Sequence, residues 1–166
     1  METNIILANR LREVLLNGKW IANTNFKEQI VGINWEHAVY KRSDLNSIAM
    51  LTFHINYYVG GVLEVLRGGD LTIRDHYSFD VPEIKSEADW QRIVEAFLNN
   101  AENLAMAIEK LDESTLDKPF VQEKYGSYRR NLEAVIEHSY YHLGQVTLIK
   151  KMILLEGNNA DINSIV

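Results

Sequence analysis

The stretch SEADWQRIVEAFLNNAENLAMAIEKL, residues 86–111, has the most regular apolar pattern in the chain and points to the fold class. Its large apolar side chains recur at steps of three and four residues, which places them on one face of an α-helix. The residues on this face are Trp90, Ile93, Phe97, Ala101, Leu104, Ile108 and Leu111. Ser86 followed by Asp89 resembles a capping box, with aspartate in place of the usual glutamate. We therefore predict a long amphipathic helix that begins just after Ser86.

Three further segments show the same helical repeat. They span approximately residues 5–17, 45–67 and 127–155. A shorter piece, residues 20–30, continues the first segment after a break. No strand pattern has a credible partner, and we find no internal repeat and no linker between domains. The sequence therefore predicts an all-α protein, a four-helix bundle that forms one domain over residues 1–166.

Glycines and one long connection set the expected helix boundaries. The pair at 68–69 is expected to end the second helix and Gly157 the last one, because glycine adopts the left-handed conformation of helix C-caps. Residues of about 158–166 would then form a disordered or loosely packed tail. A second pair, at 60–61 inside the helix, predicts close packing of another backbone or a local irregularity. Residues 70–85, DLTIRDHYSFDVPEIK, predict a long crossover connection between the second and third helices.

Composition and charge exclude several classes of function. The chain has no cysteine, which excludes disulfides, thiolate nucleophiles and Cys-ligated metals together. Any metal must be held by histidine, carboxylate, backbone carbonyl or water. The formal net charge of −6 disfavours a nucleic-acid partner, because affinity for a phosphate backbone depends on clustered Lys and Arg. We find neither a signal peptide nor a run of ~20 apolar residues, and expect a cytoplasmic protein without membrane association.

Two histidines, His138 and His142, stand four residues apart on the apolar face of the last predicted helix. Side chains at this spacing converge, so two imidazoles can bind one ion. His54 occupies the apolar face of the second helix, between Leu51 and Tyr58 at helical spacing. Three buried neutral imidazoles can satisfy their lone pairs by sharing a metal. Three protein ligands with an open position are typical of a catalytic metal site.

A second interpretation of the histidines stays open. In this interpretation they are core residues that hydrogen-bond to the backbone and to Tyr57, Tyr58 or Tyr141. The remaining histidines fit the group less well, because His37 lies in a short helical turn and His76 lies in the long connection. We expect both of these at the surface.

The segment HSYYHLGQVTLIKK, residues 138–151, together with the lone histidine of FHINYYVGGVLEVLRGG, residues 53–69, resembles the DinB/YfiT-like metalloenzyme family. The similarity extends over most of the chain. The resemblance implies a four-helix bundle, often a homodimer, with one divalent ion held by His54, His138 and His142. Zinc, nickel and iron each suit imidazole ligands. Some members of the family use a low-molecular-weight thiol as cosubstrate.

One principal hypothesis and two alternatives follow for the function. The principal hypothesis is a divalent-metal-dependent enzyme for a small-molecule substrate, either a hydrolase or a thiol-dependent S-transferase, whose open coordination position activates water or a thiol. Tyr58 and Tyr141 are the candidates for lining its pocket, and no general base is evident. The first alternative is a non-catalytic metal-binding helical bundle, and the second is a metal-free interaction protein.

Overall fold

The computed structural model describes the backbone of residues 2–163 and the side chains of residues 2–156. Within these residues the chain forms α-helices joined by turns and loops, with no β-strand, which confirms the all-α prediction. The helices are α1 (Thr3–Arg12), α2 (Phe26–Ile30), α3 (Trp35–Val39), α4 (Ile48–Leu66), α5 (Glu87–Glu109) and α6 (Tyr128–Asn163). None of these described helices has both the length and the apolar character needed to cross a membrane.

α5 begins where the sequence predicts, directly after Ser86. The Ser86 hydroxyl accepts a hydrogen bond from the Asp89 backbone N–H (3.2 Å) and donates one to the Asp89 carboxylate (2.7 Å), so the capping box forms with aspartate. The same carboxylate accepts a hydrogen bond from the Lys85 backbone N–H (3.0 Å). Every residue of the predicted apolar face is buried except Leu111, which packs partly buried against the core.

α5 packs against both α1 and α4, and α4 in turn contacts α6. Polar links accompany the apolar contacts. Arg12 on α1 forms ion pairs with Glu102 (2.8 Å) and Glu109 on α5. Asn100 on α5 donates a hydrogen bond to the side chain of Asn56 on α4 (3.0 Å). These polar links therefore fix α5 relative to both α1 and α4. Because α4 also contacts α6, the position of α6 depends on the same packing.

Both glycine pairs are explained by the end of α4 and the connection that follows it. Gly68 has φ +89°, and the Gly69 N–H donates to the Glu64 carbonyl (2.9 Å), so α4 ends at the predicted pair. A Cβ atom on Gly61 would lie 2.3 Å from Cγ1 of Ile73 in the connection. Gly61 therefore leaves room for the Ile73 side chain, so the close packing here involves a side chain of the connection rather than another backbone.

The first predicted helix is interrupted before its end. α1 is followed by a π-helical turn, Glu13–Asn17, in which the Gly18 N–H donates to the Glu13 carbonyl (3.2 Å). In this turn the Glu13 carboxylate accepts a hydrogen bond from the Tyr140 hydroxyl of α6 (2.9 Å). The irregularity therefore coincides with a contact between the end of the first helical segment and α6.

The predicted helical piece at 20–30 is helical only in its second half. Asn25 begins α2 because its side chain accepts a hydrogen bond from the Glu28 N–H (3.0 Å). The preceding residues form turns, and Trp20 is 92% exposed. Its aromatic side chain therefore lies outside the core.

α6 is longer than the sequence predicts. It continues to Asn163 and passes through Gly157, so the prediction of a C-cap at Gly157 is wrong. A glycine inside a helix costs only ~1 kcal/mol relative to alanine, which does not by itself end a helix. Of the expected loose tail, residues 158–163 are helical in the structure, and residues 164–166 lie outside the described residues.

Trp90 offers a test of the packing at the start of α5. It is fully buried, and its indole N–H donates to the Ile33 carbonyl (3.0 Å). The Trp90→Phe variant leaves that carbonyl unpaired and opens a void, so we expect the free energy of unfolding in urea to fall by about 2–4 kcal/mol. Trp20→Phe, at an exposed position, is the matched control and should change it by less than about 0.5 kcal/mol. Equal effects of the two substitutions would contradict this packing.

Candidate metal centre

α4 and α6 bring the three predicted histidines together. His138 and His142 stand one turn apart on α6, and their Nε2 atoms are 2.8 Å apart. His54 on α4 places its Nε2 3.2 Å from Nε2 of His138. One ring nitrogen of each histidine lies within 4.8 Å of those of the other two. The three side chains are therefore close enough to bind one metal ion.

The separations of these nitrogens suit a shared ion. Two imidazole nitrogens at their usual distance from zinc are about 2.9 Å apart at a right angle and about 3.3 Å apart at the tetrahedral angle. The separations of the His142 and His54 Nε2 atoms from Nε2 of His138, 2.8 and 3.2 Å, lie close to these values. Within the described residues no carboxylate joins the group, so the donor set is imidazole only. Zinc, nickel and iron accept such a set.

Gln145 orients one of these rings. It lies three residues after His142 on α6, and its side-chain oxygen is 2.8 Å from Nδ1 of His142. An amide oxygen only accepts, so Nδ1 carries the proton and Nε2 keeps its lone pair for the other rings. A carbonyl bonded to the second nitrogen is the usual support of a metal-binding histidine. This role of Gln145 was not predicted, although its spacing carries the signal.

Phe79 packs on the third ring. Its side chain stacks on the His54 imidazole, with centroids 4.0 Å apart and 15° between the planes. Phe79 belongs to the connection between α4 and α5, which Tyr57 holds on α4. The Tyr57 hydroxyl donates to the Arg74 carbonyl (3.2 Å) and accepts from the Arg74 N–H (2.9 Å). No spacing rule links Phe79 to His54, so the sequence did not predict this contact.

Burial favours the neutral form of all three imidazoles. Burial, followed by the charges of His142 and His138, lowers the pKa of His54 to about 4. Burial also lowers the pKa of His138, and the charge of His142 adds to the effect. The pKa of His142 is lowered by burial against the opposing hydrogen bond with Gln145. At neutral pH the rings therefore present lone pairs, the state that metal binding requires.

The tyrosine hydroxyls do not satisfy these histidines. Tyr57 is bonded to the backbone of the connection, and Tyr58 donates to the Asp75 carboxylate (3.0 Å). Tyr141 is 65% exposed and contacts the neighbouring imidazole only through a ring-edge contact. Nδ1 of His54 is buried and bonds to no tyrosine. Of the partners expected for core histidines, the tyrosines are therefore missing, whereas the backbone is represented by Ser78, whose hydrogen bond raises the pKa of His54 against the larger effect of burial.

A cavity of about 450 Å³ adjoins the three histidines. His138 and Tyr58 belong to its wall, whereas Tyr141, the other residue expected to line a pocket, does not. The rest of the wall is formed by Val62, Leu71, Ile73, Asp75, Phe120, Tyr125, Asn131, Ala134 and Val135. A molecule bound in this cavity would therefore contact the imidazole that lies between the other two.

The two remaining histidines lie at the surface, as predicted. His37 is exposed in α3, where its backbone N–H donates to the Asn34 side chain (2.8 Å). His76 is exposed in the connection, and its ring packs on Tyr77 with centroids 3.7 Å apart. Neither belongs to the group of convergent histidines.

Neutral buried imidazoles make the stability of the metal-free protein depend on pH. Unfolding returns the pKa of His54 from about 4 to its ordinary value of 6.5, so the unfolded chain binds more protons between these values. The stabilisation that this pKa difference contributes is therefore fully present above pH 6.5 and is lost as the pH falls toward 4. Between pH 7.5 and 5, we expect urea unfolding in EDTA to show a loss of about 1–2 kcal/mol.

A His54→Leu variant should lose much of this pH dependence. Val59→Ala truncates a buried side chain of the same helix without removing a titrating group, and it should keep the full dependence. If His54→Leu kept it as well, a buried neutral imidazole at this position would be ruled out.

Comparison of the chain with models of known protein families, with curated proteins and with solved structures finds no match. The resemblance to the DinB/YfiT-like family therefore stays a prediction. The case for a metal centre depends on the convergence of His54, His138 and His142 and on the support that Gln145 gives to one ring.

Proposed function

We propose that this protein is a divalent-metal-dependent enzyme of the DinB/YfiT-like type, with His54, His138 and His142 as metal ligands and a small molecule as substrate. The observation that carries the proposal is the convergence of their Nε2 atoms, at 2.8 and 3.2 Å from the central one. Lone pairs that face one another in a buried place are unfavourable unless a proton or a cation lies between them.

The helix contacts support a four-helix bundle as its architecture. The long elements are α1 with its π-helical turn, α4, α5 and α6. Contacts join α1 to α5, α5 to α4, α4 to α6 and α6 to α1. Four helices that contact one another in such a closed cycle are what a bundle produces. The connection at 67–86 would be its long crossover.

An apolar stripe on α6 supports the proposal of a homodimer. Tyr141, Leu148 and Leu155 follow one another at steps of seven, and each is more than half exposed. Residues at this spacing share one helix face, and a row of exposed apolar side chains marks an interaction surface. The proposed partner is a second copy of this chain. The net charge of −6 argues against nucleic acid as a further partner.

The composition of the site favours an enzyme over a non-catalytic metal-binding protein. Three protein ligands, with no fourth in the described part of the chain, are typical of catalytic sites, whereas structural sites are closed. A bound zinc, nickel or iron ion would supply a positive charge that favours ionisation of water or a thiol and polarises a substrate carbonyl. The chain itself holds the rings: Gln145 orients His142, and Phe79 packs on His54. Hydrolysis and thiol-dependent transfer are the proposed reactions.

Elemental analysis of the purified protein tests the ligands. We expect about one divalent ion per chain in the unaltered protein, and loss of most of it in His54→Ala and His138→Ala, because the site needs all three imidazoles. His37→Ala and His76→Ala remove exposed histidines and are the matched controls, which should keep their metal. Equal metal content in the unaltered protein and in His138→Ala would exclude the proposed site. A melting temperature unaffected by EDTA would instead favour the metal-free interaction protein.

The open coordination position has a separate test. In protein loaded with cobalt(II), 2-mercaptoethanol should change the visible absorption, because a free position accepts the sulfur. Ethanol at the same concentration is the control and should leave the spectrum unchanged. An unchanged spectrum with the thiol would indicate a closed coordination shell and a non-catalytic role.

A further inference from the structure

The cavity beside His138 combines an apolar wall with a single acidic group. Eight of its eleven described lining residues are aliphatic, phenylalanine or tyrosine, and the other three are Asp75, Asn131 and His138. Among the described residues that line it, Asp75 is the one carboxylate, and there is no lysine or arginine. The volume of about 450 Å³ falls in the range of small-molecule pockets. The wall therefore suits an apolar molecule with one polar group.

Asp75 is held in place without being neutralised. Its Oδ1 accepts a hydrogen bond from the Tyr58 hydroxyl (3.0 Å). Its backbone carbonyl accepts from the Ser78 hydroxyl (2.7 Å) and the Ser78 N–H (3.0 Å). In the described part of the chain it forms no ion pair with lysine or arginine. Asp75 is exposed, so its attraction for a cation comes from its fixed position at the rim of an apolar wall and is partly screened by water and salt.

Aromatic rings strengthen the preference for a cation. Tyr58, Phe120 and Tyr125 belong to the wall, and the faces of such rings attract positive charge. The chain itself provides an example, because the Lys124 ammonium lies 4.8 Å from the centroid of the Tyr125 ring. Lys124 is not part of the wall, so its charge does not pair with Asp75 inside the cavity.

We propose that this cavity binds a small apolar molecule that carries a protonated amine, with the amine on Asp75 and the apolar body against Val62, Leu71 and Phe120. Because His138 lies in the same wall, the bound molecule also contacts the proposed metal centre. That it is the substrate of this centre rests on the proposed function. When no metal ion is bound at His138, a carboxylate of the same size would meet the charge of Asp75 without a lysine or arginine in the wall to balance it, and so would bind less well.

Three probes of nearly equal size test the charge preference: 2-phenylethylamine, 2-phenylethanol and 3-phenylpropionate. Their affinities are measured by calorimetry or NMR titration at pH 7.5 and low salt, in protein as purified and after removal of metal with EDTA, because a divalent ion beside His138 would itself attract the carboxylate. The metal content of each sample is determined in parallel. The amine should bind at least about tenfold more tightly than the alcohol or the carboxylate, as expected for a charge-assisted hydrogen bond.

Two variants, with one matched control, test whether the probes bind in this cavity. Asp75→Asn preserves the shape of the side chain and should remove the preference for the amine without changing the metal content. Asp80→Asn alters an exposed aspartate of the same connection and is the matched control, which should keep the preference. Ala134→Phe extends a larger side chain from α6 into the cavity and should weaken the binding of all three probes.

The outcomes separate this inference from the proposed function. In the EDTA-treated protein, tighter or equal binding of 3-phenylpropionate, an amine preference that survives Asp75→Asn, or probe binding unaffected by Ala134→Phe would each overturn the inference. If the protein contains metal but shows no amine preference, the inference fails and the proposed function stands. If the amine preference depends on Asp75 in protein that binds no metal, the cavity is correctly assigned and the proposed function fails.

Discussion

The contact between α4 and α6 sets three imidazole rings against one another, and the rest of the site depends on it. Nε2 of His138 lies within hydrogen-bonding distance of Nε2 in both His54 and His142. A ring nitrogen offers either one proton or one lone pair, so it can form only one good hydrogen bond of the two. The contact of His142 with Gln145 leaves another Nε2 without a proton. Protons therefore cannot satisfy the whole cluster, whereas one shared cation can.

The connection between α4 and α5 links helix packing to the site. It approaches α4 where Gly61 leaves room for Ile73, and it is bonded to α4 again where Tyr58 contacts Asp75. Between and beyond these points it supplies part of the cavity wall and stacks Phe79 on the ring face of His54. A side chain added at Gly61 would displace this connection. It would therefore disturb both the cavity wall and the packing of Phe79 on His54, although Gly61 belongs to neither.

Local sequence rules predicted the parts of the fold that are local. The spacing along α5 and its cap at Ser86 depend on neighbouring residues, and both form as expected. The end of α4 follows from the backbone freedom of Gly68. The π-helical turn at Glu13–Asn17 and the passage of α6 through Gly157 were missed. Glycine in the helix interior is a small penalty that other interactions can outweigh, so its presence does not determine where a helix ends.

In the site, too, sequence reasoning predicted what depends on local spacing and missed what depends on tertiary contacts. His54, His138 and His142 were predicted because each lies on the apolar face of its own helix, and faces that pack together bring their polar residues together. Gln145 follows from its spacing along α6 once the role of His142 is known. Phe79 and Asp75 reach the site through a connection whose path is set by tertiary contacts. No local pattern encodes that path, so sequence reasoning could not place them.

Tyr58 lies between the two halves of the site, and its environment determines what it can do. Its ring meets those of His54 and His138 edge-on, with centroids 5.1 and 5.2 Å away, and its hydroxyl donates to Asp75. Burial raises the pKa of Tyr58, so the hydroxyl keeps its proton at neutral pH. A protonated hydroxyl that is already donating to a carboxylate is neither a general base nor an anionic metal ligand. Tyr58 therefore positions Asp75 relative to His138.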